Sequence, residues 1–125
     1  MNIKKLFITF GLVAVLLAGT FASAGAATPV HVATFKAAYS AGSIKTTVGV
    51  ADALNKPLSG AKVQISYERE GSPIKLLNAM TNAKGIAQFS SAFTKGKWHV
   101  CVEEIHKLGF VYNPTQALCT KIIVP

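Results

Sequence analysis

Glu103-Glu104-Ile105-His106 is the one stretch of this 125-residue chain in which carboxylates and an imidazole stand side by side. Such a set could hold a metal ion or relay a proton between acid and base. A helical zinc motif needs a second histidine one turn away, and the stretch has none. On an extended chain successive side chains alternate, so Glu104 and His106 point one way and Glu103 the other. His31 and His99 are isolated along the chain and read as structural imidazoles. Asp52, the only aspartate, stands just ahead of a turn, where its carboxylate can accept backbone amides. The serines lack any Gly-x-Ser-x-Gly elbow. These residues read as an exposed strand end without a catalytic or metal site and without a cofactor. The alternative is a small metal-dependent hydrolase using Glu104 and His106.

Cys101 and Cys119 are the only cysteines. Their meaning depends on the compartment, which the first residues address. Lys4 and Lys5 precede the uncharged apolar run Leu6–Ala18, and Ala22-Ser23-Ala24 follows with small residues at the −3 and −1 positions. This is the three-part layout of a secretory signal peptide, assigned here to residues 1–24, with Ala26 and Ala27 as further cleavage points. The run is shorter than the ~20 residues that span a bilayer, so no stable membrane span is expected after cleavage. An uncleaved anchor counted through Ala27 is the rival reading. In an oxidising compartment the two cysteines read as one disulfide. Reduced thiols, or two ligands of a metal site completed elsewhere, are the alternatives.

Beyond the leader lies about one domain's length of chain, residues 28–125. Of thirteen Lys and Arg, two lie in the leader; eleven basic against five acidic residues leave a net charge of +6. The lysines are scattered and Arg69 is the single arginine. Nucleic-acid readers cluster arginine, whose fork matches phosphates and guanine edges, so no nucleic-acid partner is expected. A diffuse lysine coat on an exported domain suits anionic envelope polymers or lipid headgroups, and it also serves solubility.

Residue patterns supply the elements that must position these groups. Ile44, Thr46, Val48 and Val50 alternate with more polar neighbours; so do Ala61, Val63, Ile65 and Tyr67, and again Trp98, Val100 and Val102. Period-two alternation marks half-buried strands. Extended segments are expected near 31–38, 44–51, 61–67, 74–80, 86–89, 97–104 and 118–124. Between them stand turn signals: Asn55-Lys56-Pro57 with Gly60, Glu70-Gly-Ser-Pro73, and Thr81-Asn-Ala-Lys-Gly85, where Gly85 is expected at positive φ. Strands punctuated this way form a sandwich or barrel. Ile105–Ala117 remains as a long connection. Loops of this length in small domains tend to carry function, so Lys107, Phe110, Tyr112 and Asn113 become the candidate binding residues. Trp98 belongs to the core.

Several of these segments together resemble bacterial immunoglobulin-like accessory domains of the invasin/intimin and carboxypeptidase-regulatory types. The residues that carry the likeness are Val48-Gly-Val-Ala-Asp52, Lys56-Pro-Leu-Ser-Gly-Ala-Lys-Val63, Thr81-Asn-Ala-Lys-Gly-Ile-Ala-Gln-Phe89, Gly96-Lys-Trp-His-Val-Cys-Val102 and Gly109-Phe-Val-Tyr-Asn-Pro114. They extend over residues 44–124. Where such domains often carry glycine before the proline of the first turn, this chain has Asn55-Lys56-Pro57, and asparagine tolerates the left-handed conformation. Transthyretin-like hydrolases end in Tyr-Arg-Gly-Ser; this chain ends Ile122-Ile-Val-Pro125, so that activity is not expected. The resemblance implies a seven-stranded antiparallel immunoglobulin-like β-sandwich with Asp52, Pro57, Gly60 and Gly85 at structural turns and Cys101–Cys119 joining the last two strands. The expected role is a secreted or cell-envelope binding or support module without catalysis. Its partner would be an anionic envelope polymer or a surface protein. The alternative is an accessory subunit of a secreted enzyme or surface assembly, joined through a sheet edge.

Overall fold

A computed structural model describes residues 27–114 and 116–125; the expected signal peptide at 1–24 lies outside the described residues. Eight strands follow one another: β1 (Thr28–Ser40), β2 (Ser43–Asp52), β3 (Lys62–Glu68), β4 (Lys75–Met80), β5 (Ile86–Ala92), β6 (Gly96–His106), β7 (Phe110–Tyr112) and β8 (Leu118–Val124). They form two four-stranded sheets, ordered β5-β2-β1-β7 and β4-β3-β6-β8. The fold is all-β.

The alternating residues build the core where the two sheets face. Ile44, Val48 and Val50 of β2 meet Val63, Ile65 and Tyr67 of β3 and Trp98, Val100 and Val102 of β6, all buried. Thr46 shares the inner face of β2, and its hydroxyl lies 2.8 Å from the Tyr67 phenol of the opposite sheet. Each group is the other's partner in an apolar interior. The net gain is about 1 kcal/mol, yet losing one partner strands the other at a cost of about 1–3 kcal/mol.

The expected count of seven strands is corrected to eight. The connection read at 105–117 is partly strand: β6 continues to His106, and β7 pairs in parallel with Thr28–Val30 of β1. A parallel pair needs a crossover between distant segments. Three residues pairing across some eighty positions leave no local pattern to read.

A disulfide joins Cys101 and Cys119, which stand directly opposite on β6 and β8. It closes a loop that contains β7 and the turn before it.

The loops gather at two ends of the sandwich. At one end the β2–β3 connection, the β4–β5 connection and the turn after β6 lock together beside the start of β1. The Thr81 hydroxyl donates to the Leu58 carbonyl at 2.6 Å and accepts from the Ala61 amide at 2.9 Å. Val50 donates to the Gly85 carbonyl at 2.8 Å, and Thr28 to that of Gly109 at 3.0 Å. β1 therefore begins at this end. At the other end lie the Ala41-Gly42 hairpin, with both φ positive (51° and 83°) as a two-residue primed turn requires, and the β3–β4 and β5–β6 connections.

Candidate functional site

The site begins with an irregularity in β6. Gln64 pairs with Glu104 but Ile65 pairs with Val102, so β6 carries an extra residue at this point. A bulge of this kind sets two residues against one and re-aims the side chains. Val102 and Ile105 both point into the core, and Glu103 and Glu104 are both exposed. The expectation that strict alternation would send Glu103 to the opposite face from Glu104 is corrected accordingly. The Glu103 carboxylate accepts a 2.6 Å hydrogen bond from the Ser66 hydroxyl on the outward side of β3, which leaves Glu104 as the free acid of the pair.

Antiparallel register then assembles two rows on the outer face of the β4-β3-β6-β8 sheet. Met80, Lys62 and His106 form one; Asn78, Gln64 and Glu104 form the next. Directly opposed residues have Cβ atoms about 4.5–5.5 Å apart, so five polar side chains converge. Lys62, Gln64, Asn78, Glu104 and His106 line a shallow cleft of about 280 Å³. The cleft offers a cationic donor, a carboxylate acceptor, two carboxamides that both donate and accept, and an imidazole. Small-molecule pockets start at about 300 Å³ and bury most of their ligand. This cleft is smaller than that and open to solvent. Glu104 and His106 were visible in the sequence as a cluster. Lys62, Gln64 and Asn78 were not, because nothing in a polar strand position says which neighbours it will meet. The one available signal was alternation, which puts Lys62 and Gln64 on the wet face of β3.

The remaining histidines go elsewhere. His99 lies opposite Glu68, and with Glu68 and Glu70 it lines a separate surface depression. His31 is on β1, opposite Ala51. Among the described residues, no group of three or more His, Cys, Asp or Glu is placed to hold a metal ion.

The candidate loop residues divide by role. Lys107 and Phe110 close a turn through a 3.0 Å bond from the Phe110 amide to the Lys107 carbonyl, with Gly109 at φ 85°. The Lys107 ammonium donates to the Ser59 carbonyl at 2.6 Å and sits 5.5 Å from the centre of the Phe110 ring. Phe110 and Tyr112 are half-buried against the core, and burial raises the Tyr112 phenol above its usual pKa. Asn113 is exposed. The residue presented by this turn is Leu108, 92% exposed. The sequence reading missed it because an apolar residue in a short turn carries no periodic mark.

The structural turns sit behind this end. The Asp52 carboxylate accepts from the Leu54 amide at 2.9 Å and the Lys56 amide at 3.0 Å. Asn55 adopts φ 61°. Pro57 bridges to Ala51. Gly60 has φ 70° and Gly85 φ 75°. A Cβ on Gly85 would lie 2.7 Å from the Val50 carbonyl oxygen, too close for any other residue.

Fold and site together define a two-sheet β-sandwich with one disulfide and an open polar cleft. No protein-family model matches the chain, and no curated protein or solved structure matches it. Among the described residues no helix is long and apolar enough to cross a membrane.

Proposed function

We propose that the chain is an exported, non-catalytic immunoglobulin-like binding module of the cell envelope, whose cleft takes one unit of an anionic envelope polysaccharide. The observation that carries this reading is the convergence of Lys62, Gln64, Asn78, Glu104 and His106 on one exposed sheet face. Carboxamides and a carboxylate match sugar hydroxyls, and Lys62 matches an acidic substituent. The scattered lysines add long-range attraction that salt weakens. The immunoglobulin-like assignment draws support from the motif residues and from the two-sheet architecture.

Affinity electrophoresis through gels containing an acidic polysaccharide such as polygalacturonate tests the reading. Retardation should fall at least tenfold in Gln64→Ala/Asn78→Ala, whose substitutions are charge-neutral, and should weaken steeply between low and high salt. Retardation unchanged by the double substitution overturns the cleft assignment.

One observation favours a second reading, an accessory subunit of a surface assembly. β1 pairs with β7 only at Thr28–Val30, while β2 covers its other edge as far as Ser40. Residues 31–40 thus present a long strand edge of the kind that accepts another strand. Capture of a protein partner that survives high salt, and is lost on Ala37→Pro, supports this reading over the first.

A further inference from the structure

We propose that the end of the sandwich at which β1 begins is a membrane-docking surface, with Leu54 and Leu108 entering an anionic bilayer and Lys56, Lys84 and Lys107 facing its headgroups. Leu108 is 92% exposed and Leu54 75%, the two most exposed large apolar side chains among the described residues. Both stand in closed turns at the same end. Asn55 donates to the Asp52 carbonyl at 3.0 Å and Phe110 to the Lys107 carbonyl at 3.0 Å, so each leucine is presented by a preformed backbone. The Lys107 ammonium joins the two connections through the Ser59 carbonyl at 2.6 Å and keeps two further N–H donors.

Charge complements the apolar tips. Lys56 and Lys84 are exposed in the neighbouring turns. The only acid in these connections is Asp52, and its carboxylate is engaged by two backbone amides. Glu103 and Glu104, the next nearest on the adjoining strand, face outward from the sheet. The apolar side chains project singly from convex turns. That geometry cannot supply the contiguous area of about 1,000 Å² that a specific protein interface needs. It suits a bilayer, which accepts isolated apolar side chains while basic neighbours remain at headgroup level.

The test uses residues 25–125, the form that the expected cleavage leaves, so that the apolar run 6–18 cannot itself carry the protein to the bilayer. A reporter is introduced by Leu108→Trp, by Leu54→Trp, or by Glu70→Trp at the opposite end; Trp98 is buried and supplies a fixed background. Vesicles of phosphatidylcholine with about one-third phosphatidylglycerol, carrying brominated acyl chains, quench only an inserted indole. Quenching and a blue shift are expected for Leu108→Trp and Leu54→Trp and not for Glu70→Trp. Adding Leu54→Asp to Leu108→Trp should lower the vesicle affinity at least tenfold, the effect of losing one buried leucine. Quenching absent at both leucine positions overturns the proposal, as does equal quenching in neutral vesicles. A blue shift that grows with protein concentration without vesicles would identify a second copy as the occupant and likewise overturn it. Cleft and docking end are separate surfaces, so Gln64→Ala/Asn78→Ala should leave the quenching intact.

Discussion

The two ends of the sandwich are held by different means. At the end where β1 begins the loops are tied backbone to backbone, with the Thr81 hydroxyl, the Asp52 carboxylate and the Asn82 carboxamide accepting from further amides. At the far side the side chains hold one another. Tyr67, Phe93 and Trp98 stack with ring centres 4.4 and 4.7 Å apart. Arg69 lies 5.5 Å from the centre of the Trp98 ring and donates to the Lys95 carbonyl at 2.6 Å, and the Trp98 indole donates to the Thr94 carbonyl at 2.8 Å. At that end the aromatic rings and the Arg69 guanidinium are engaged with one another. An end stabilised through its own backbone leaves Leu54, Leu108, Lys56 and Lys84 pointing outward. Of the two ends, the one held by main-chain bonds keeps its apolar tips uncovered.

The comparison breaks if the two ends fail to respond separately. The largest effect should come from Trp98→Ala, which removes the ring between Phe93 and Arg69 and with it an aromatic core residue, at a cost of about 3–5 kcal/mol. Urea unfolding measures the loss. Hydrogen exchange should accelerate at 69–72 and 93–98 while the Phe110 amide stays protected; equal acceleration at both ends would mean that they form one cooperative unit. Next comes Cys101→Ser/Cys119→Ser. Opening an 18-residue loop costs about 3 kcal/mol in the chain-entropy model, and that loop contains β7 and the Leu108 turn. Here the exchange pattern should reverse, faster at 107–112 and little changed at 93–98.

Tyr67 sharpens the contrast through pH. Burial raises its phenol pKa, outweighing the lowering by the Thr46 hydrogen bond. The phenol thus ionises later in the folded chain than in the unfolded one. Its contribution is complete below the ordinary tyrosine value of about 10 and is lost as pH rises through the folded value. Stability measured by urea titration should fall above about pH 10. The fall should be smaller in Tyr67→Phe, which at neutral pH costs about 1–3 kcal/mol by stranding the Thr46 hydroxyl. A fall that Tyr67→Phe leaves unchanged would assign it to Tyr112, whose pKa burial also raises. The smallest effect is expected from Gly42→Ala, where nothing lies within 4 Å of the added Cβ and only the left-handed penalty of about 1–2 kcal/mol applies; Gly85→Ala adds the clash with the Val50 carbonyl to that penalty and should cost more. A Gly85→Ala variant as stable as the parent would show that the neighbouring Val50 carbonyl yields freely.

Much of the scaffold was legible because burial on a strand has a period of two. Ile44, Thr46, Val48 and Val50 announced one inner face; Val63, Ile65 and Tyr67 announced another. The cysteine pair followed from count and inferred compartment, and Gly85 from turn chemistry. The candidate site was legible only as the Glu104 and His106 pair. Its other members come from β3 and β4, and local sequence does not say which strands will lie side by side. The bulge at Glu103 was hidden for a related reason: it exists only relative to the partner strand that carries one residue fewer.

The amino-acid sequence alone determined the all-β class, the inward faces of β2, β3 and β6, and the two cysteines available to pair, since each rests on local periodicity, turn stereochemistry or simple number. Tertiary structure alone decided the eighth strand, the cleft and the gathering of Leu54, Leu108 and the start of β1 at one end. These depend on register and on contacts between distant segments, where the free energy belongs to the pair and not to either residue.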